Sequence, residues 1–208
     1  MRPVALLLAA LALSAIASVP RAIAAEEEAA VATATTLVDE AYDALSSSEQ
    51  PEEERMAALQ GAIDAAFAFD IWRRFLLDPL EDDLSEEERT TAEGLLPGYL
   101  ANLYRTNFER GLESAPAIGG TRAARRDLLV EVDFPRANGA TLPTEWRIRD
   151  FDERGHLVID IMVGGASFLR LKRDEFAAIV QQGGGDGLIA HLRENNVAAA
   201  SPAASPAD

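Results

Sequence analysis

Residues 142–176, LPTEWRIRDFDERGHLVIDIMVGGASFLRLKRDEF, constrain the fold more than any other stretch. They hold two alternating apolar/polar runs, a polar turn between them, and a glycine hinge that leads into a helix. Side chains two apart share a face of a strand. In 146–151, Trp146 and Ile148 therefore point one way, and Glu145, Arg147 and Arg149 the other. In 157–163, Leu157, Ile159, Ile161 and Val163 share a face, with Asp160 opposite. Asp152-Glu153-Arg154-Gly155 has hairpin-turn chemistry, with Gly155 supplying a positive φ. Each strand presents one apolar face to whatever covers the sheet.

A third run precedes this pair. In 127–134, Leu128, Val130, Val132 and Phe134 alternate with Glu131 and Asp133, and Asn138-Gly139 is a turn signal before the next strand. Three strands thus follow in antiparallel order, with a fourth, irregular one expected around 118–122. The chain before them is helical in pattern. Leu37, Val38, Ala41, Tyr42 and Leu45 recur at helical spacing, as do Met56, Leu59, Ile63 and Phe67 in the next segment. Pro51 and Glu52–Glu54 suit the first turn of that second helix. Residues 71–77 form a short apolar helix ended by Asp78-Pro79. Ser85-Glu86-Glu87-Glu88 is a capping box that opens the longest helix, expected to reach about Leu112 with a kink or break at Pro97-Gly98. After the strands, helices are expected over 173–182 and 186–194, separated by Gly183-Gly184-Gly185, with Asp186 as N-cap. Helices first and a meander after make an α+β domain, with N-terminal helices packed on one antiparallel sheet and C-terminal helices following.

The ends read differently. Residues 1–24 combine Arg2, the apolar run Val4–Ile16 and the small-x-small site Ala22-Ile23-Ala24, which is the pattern of a cleaved secretory signal peptide. Residues 25–34 read as a flexible acidic leader, 35–196 as the folded domain, and 197–208 as a disordered Ala/Pro/Ser tail. Without Arg2 and Arg21 the 19 basic residues fall to 17 against 35 acidic ones, a net charge of −18 for the mature chain. Such a surface is repelled by nucleic acid and by anionic lipid. With no cysteine in the chain, disulfides, thiolate catalysis and cysteine-bound metals are excluded.

Catalytic signals are weak. A nucleophile needs a base within hydrogen-bond reach, and the only histidines are His156, in or beside a hairpin turn, and His191, on a surface-helix pattern. Ser167 follows Gly-Gly-Ala but lacks the G-x-S-x-G pattern, so its hydroxyl is read as stabilising the strand-to-helix turn. The acidic runs Glu26–Glu28, Glu52–Glu54, Glu81–Asp83 and Glu86–Glu88 lack metal-loop spacing and read as solvated faces. No cofactor and no metal is implied.

The order of motifs resembles the MlaC family, periplasmic phospholipid-binding proteins also known from toluene tolerance. The family pattern is roughly D-V-x-V-E-G-V-S-L followed by R-x-E-F; Asp160, Gly165, Ser167, Arg173, Glu175 and Phe176 match it. Gly164 stands where an acidic residue is usual, and Lys172 where an aromatic or Gln is common. Phe69-Asp70 resembles the end of the family's N-terminal helices, and 183–192 its closing segment. Pro97-Gly98 departs from a family helix that is usually uninterrupted. The resemblance covers about 57–195 and implies a cystatin/NTF2-like cone that holds acyl chains. Its implied wall comes from Val130, Val132, Phe134, Trp146, Ile148, Leu157, Ile159, Ile161 and Val163 of the sheet. The helices add Trp72, Phe75, Leu76, Leu96, Tyr99, Leu100, Leu103 and Phe168. Taken alone, these residues are ordinary core. Arg147, Arg149 or Arg173 are the candidates for headgroup or partner contact. The implied partners are a phospholipid, an inner-membrane ABC transporter with an MCE-type subunit, and an outer-membrane lipoprotein complex, through transient contacts. Two alternatives stand beside this: an NTF2-like hydrophobic-pocket enzyme with Asp160 as base, and a periplasmic adaptor without ligand.

Overall fold

The computed structural model describes residues 18–108, 114–136 and 138–196. Residues 1–17 of the expected signal peptide and the expected tail from 197 lie outside it. The described elements are α1 (Ser18–Ser46), α2 (Glu52–Ala66), α3 (Phe69–Leu77), α4 (Glu86–Phe108), β1 (Ala117–Ala124), β2 (Asp127–Pro135), β3 (Thr141–Asp150), β4 (His156–Val163), β5 (Ala166–Ser167) and α5 (Phe168–Glu194). The fold is the expected α+β type. Its five strands form one antiparallel sheet in chain order, β1-β2-β3-β4-β5.

The N-terminal region corrects one expectation. Residues 25–34 are not a loose leader but part of α1, and Ser18–Ala24 continue the same helix. Ala30, Ala34 and Ala41 are fully buried, with Leu37 and Val38 beside them. Alanine is the strongest helix former and its small side chain allows close approach, so an Ala-rich stripe packs where larger apolar residues are absent. Along this stripe α1 lies on α2 and on the sheet.

The capping box at the start of α4 forms as read. Glu88 N donates to Ser85 Oγ at 3.3 Å, and Ser85 N donates to Glu88 Oε2 at 2.7 Å. The helix then runs through Pro97-Gly98 without ending. Gly98 lies against the Asn196 amide, which a Cβ there would displace, while Asn196 Nδ2 donates to Leu95 O at 3.0 Å. The C-terminal helices start earlier than expected, at Phe168, and meet at a bend. Gly184 (φ 64°, ψ −165°) is the non-helical residue, so Asp186 lies inside the first turn of the second segment, not at its cap.

Register decides which residues share a face. Val130 pairs with Trp146, Val132 with Thr144 and Phe134 with Leu142 across β2 and β3. Across β3 and β4, Thr144 pairs with Val163 and Trp146 with Ile161, but then Arg147 pairs with Asp160 and Ile148 with Val158. One extra residue is inserted, a β-bulge. The expected continuous face Leu157–Ile159–Ile161–Val163 is therefore broken. Ile161 and Val163 join the Trp146 face, and beyond the bulge Val158, fully buried, takes the place beside Ile148. Leu157 is only half-buried, and Ile159 is buried outside the main core cluster.

Asp160 pairs with the outward Arg147 beside the bulge. Its Oδ1 accepts from Ile161 N at 2.8 Å and from Leu169 N at 3.1 Å, tying β4 to the start of α5. Ser167 caps that helix, its Oγ accepting from Arg170 N at 3.0 Å, the turn-stabilising role expected of it. Nearby, Ala68 N donates to Val158 O at 3.0 Å and Phe67 bridges to Val158, which sews the α2–α3 junction onto the sheet.

Candidate functional site

The inner sheet face is covered in two ways. Toward Ile148 and Val158 it is buried core. Toward the β2–β3 hairpin it opens into a cavity of about 330 Å³. The wall is built from Phe134, Arg136, Leu142, Thr144, Trp146, Ile161 and Val163 on the sheet side. Leu100, Leu103 and Tyr104 of α4, Phe168 and Leu171 of α5, and Phe67 at the α2–α3 junction complete it.

Each wall element follows from periodicity. Leu142, Thr144 and Trp146 alternate along β3, and at roughly 3.4 Å per residue they line about 14 Å of wall. Leu100 and Tyr104 are one turn apart on α4, Phe168 and Leu171 one turn apart on α5. Aromatic rings brace the wall: Tyr104 meets Phe134 edge-on at 5.9 Å, and Phe134 lies 6.4 Å from Trp146. Thr144 adds no free hydroxyl, because its Oγ1 donates to Val132 O at 2.6 Å. Burial pushes the Tyr104 phenol well above its ordinary pKa, so it stays neutral. The Trp146 indole Nε1 is buried and has no hydrogen-bond partner among the described residues. An unmet buried donor of this kind costs about 1–3 kcal/mol.

Of the seventeen apolar residues assigned to a wall from the sequence, seven meet in the cavity: Leu100, Leu103, Phe134, Trp146, Ile161, Val163 and Phe168. Trp72, Leu76, Leu96, Tyr99, Val130, Val132 and Ile148 are buried in the filled core. Phe75 is exposed, under the Arg173 guanidinium at 4.9 Å. Leu157 borders a separate groove against α1 and α2, and Ile159 is displaced by the bulge. The sequence reading missed Phe67, Tyr104, Arg136, Leu142, Thr144 and Leu171. For four of them the signal was present: extending the two-residue period reaches Arg136 from Phe134, and Thr144 and Leu142 from Trp146, while one more helical turn reaches Tyr104 from Leu100.

The three arginines assigned to headgroup or partner contact lie away from the cavity. Arg149 holds the buried Asp127 through two bonds of 2.7 and 3.2 Å, and Arg147 stands 3.5 Å from the same carboxylate. Arg173 pairs with its neighbour Asp174 at 3.2 Å. The alternation that makes Trp146 and Ile148 inward makes these two strand arginines outward, so they cannot reach the wall.

The enzyme alternative loses its base here. Asp160 is absent from the cavity lining, and one of its carboxylate oxygens is taken up by two backbone donors. His156 Nε2 lies 3.1 Å from Glu26 Oε2, a structural contact between α1 and β4. With Asp150 these two residues bring three ligand-type atoms within 4.8 Å of one another. His191 Nε2 lies 3.3 Å from Glu175. Among the described residues no helix is long and apolar enough to cross a membrane.

Helices closing one face of an antiparallel meander, with a wall almost free of polar groups, define a helix-on-sheet protein with an apolar cleft. The model of the family described as MlaC protein matches residues 34–194, and the chain belongs to the MlaC family. The match begins at residue 34, ahead of the span of about 57–195 covered by the motif resemblance. Among curated proteins none matches the chain. Among solved structures, the phospholipid-binding protein from Ralstonia solanacearum, determined in complex with a phospholipid, is similar over 81% of this chain and 97% of its own. The TM-score is 0.62 at 19% sequence identity, which establishes a shared fold.

Proposed function

We propose that this protein is a phospholipid carrier that holds acyl chains in the cavity under α4 and α5, and performs no covalent chemistry. The observation that supports this most directly is the apolar wall itself, reinforced by family membership and by a neighbour of the same fold that was solved with a phospholipid. The wall length, about 14 Å along β3, compares with about 15 Å for one leaflet of a bilayer's hydrocarbon core.

The energetics set what such a wall must do. Two acyl chains carry about 30 methylenes, and leaving them in water costs on the order of 20 kcal/mol at roughly 0.8 kcal/mol each. The carrier has to come close to the bilayer's environment without exceeding it greatly, or extraction or delivery fails. A volume of about 330 Å³ is at the small end of ligand sites, so a two-chain lipid requires α4 and α5 to move apart from the sheet. Leu171, 61% exposed on α5, is then an edge of the entrance.

In this reading residues 1–24 are a signal peptide removed after Ala24, and the mature protein works in the periplasm. It passes lipid between the outer membrane, through a lipoprotein complex, and an inner-membrane MCE-type ABC transporter, sustaining outer-membrane lipid asymmetry. The acidic surface would favour basic docking rims on those partners and speed encounter.

The test is a lipid inventory. Protein purified from cells should carry phospholipid that mass spectrometry detects after organic extraction. Val163→Trp, which fills the cavity without adding charge, should keep the fold and lose that lipid. A wild-type preparation free of lipid that takes none up from vesicles ends the carrier reading.

A further inference from the structure

We infer that Arg136 is the subsite for the phosphodiester of the bound lipid; this rests on the carrier reading and assigns the headgroup end of the same cavity. In β2 the inward row runs Val130, Val132, Phe134, and two residues further on comes Arg136, the single cation in the described lining. Its backbone N donates to Ala140 O at 2.8 Å, which fixes it at the mouth of the β2–β3 hairpin, level with the outer end of the Leu142–Trp146 wall.

A place in the cavity lining together with the lack of a carboxylate partner sets this arginine apart among the described residues. Several of the described arginines are matched to a carboxylate, as Arg122 is to Glu145, Arg149 to Asp127 and Arg154 to Asp70. Among the described residues no carboxylate pairs with Arg136. The acids nearest in sequence, Glu131 and Asp133, border a depression with Glu145 and Met162, which the strand alternation places on the other face of the sheet. In a chain of net charge −16 an unmatched cation at the rim of an apolar cavity is an anion contact. A guanidinium bonds two phosphate oxygens at once. Its stem lies along apolar wall while the charged head stays in water, which suits a lipid whose chains are inside and whose phosphate is at the mouth.

The experiment compares two probes with the same myristoyl chain, lysophosphatidylglycerol and monomyristoylglycerol, by intrinsic tryptophan fluorescence, to which Trp146 in the wall contributes. The full mature chain should bind the phosphodiester probe on the order of tenfold more tightly, the scale of one hydrogen-bonded charge at a partly exposed site. Arg136→Met keeps the apolar stem and should erase that preference while monomyristoylglycerol binds as before; Arg136→Lys should retain part of it. Millimolar inorganic phosphate should not compete, and effective competition would make this a free-phosphate site and overturn the assignment. Equal binding of both probes by the wild type, or equal loss of both in Arg136→Met with folding intact, also overturns it and leaves the carrier reading standing. If the wild type binds neither probe, the carrier reading falls, and this assignment with it.

Discussion

The two sides of the β4 bulge carry nearly the same kinds of residue and meet different fates. On one side Ile148 and Val158 lie fully buried under α1, with its buried alanines, and the α2–α3 junction bonded to Val158 O. On the other side Trp146, Ile161 and Val163 face the aromatic and leucine side chains of α4 and α5, which stand off the sheet and enclose a cavity. Apolar composition alone does not distinguish core from binding wall. The approach distance of the covering helix does, and that is set by alanine on one side and by large side chains on the other.

The sharpest test puts the same charge on each side. Val158→Asp buries a carboxylate in the filled half and should cost several kcal/mol, comparable with the whole stability of a domain, so no cooperative thermal transition is expected by circular dichroism. Ile161→Asp, half-buried at the cavity wall, should fold and lose its lipid. Equal unfolding of both variants would show that the cavity is not a distinct region.

A smaller contrast comes from adding bulk. Ala34→Leu forces methylenes into the packed α1 contact and should destabilise by about 1–3 kcal/mol in chemical denaturation. Val163→Leu should cost much less, because the cavity takes up the added group. Similar losses at both positions would remove the difference between the halves.

Away from both, Ser85→Ala should cost about 1 kcal/mol through the loss of the α4 cap, measured as a denaturation midpoint shift with lipid binding unchanged. A loss of binding in this variant would mean that α4 couples its start to the cavity wall.

The smallest effect is on the outer sheet face, where the hydrogen bond from Arg122 holds the Glu145 carboxyl below its ordinary pKa. A depressed folded-state pKa adds stability that is present above the ordinary glutamate range and lost as the pH falls through the folded value. Arg122→Gln should therefore be slightly less stable than wild type at neutral pH and equal to it in acid. A difference that persists unchanged in acid would assign it to packing.

Much of this was legible in the chain itself. The alternating runs determined the strands and their order, the Ser85–Glu88 spacing the start of α4, and the motif from Asp160 to Phe176 the family. Only the tertiary structure decided three things. The bulge moved Leu157 and Ile159 off the inner face, because a two-residue period carries no mark of one inserted residue. The earlier part of α1, with Ala30 and Ala34, was missed because alanine packs by being small, not by being strongly apolar. The division of one apolar surface into core and cavity depends on how near each helix lies to the sheet, a distance between segments remote in sequence that no local pattern encodes.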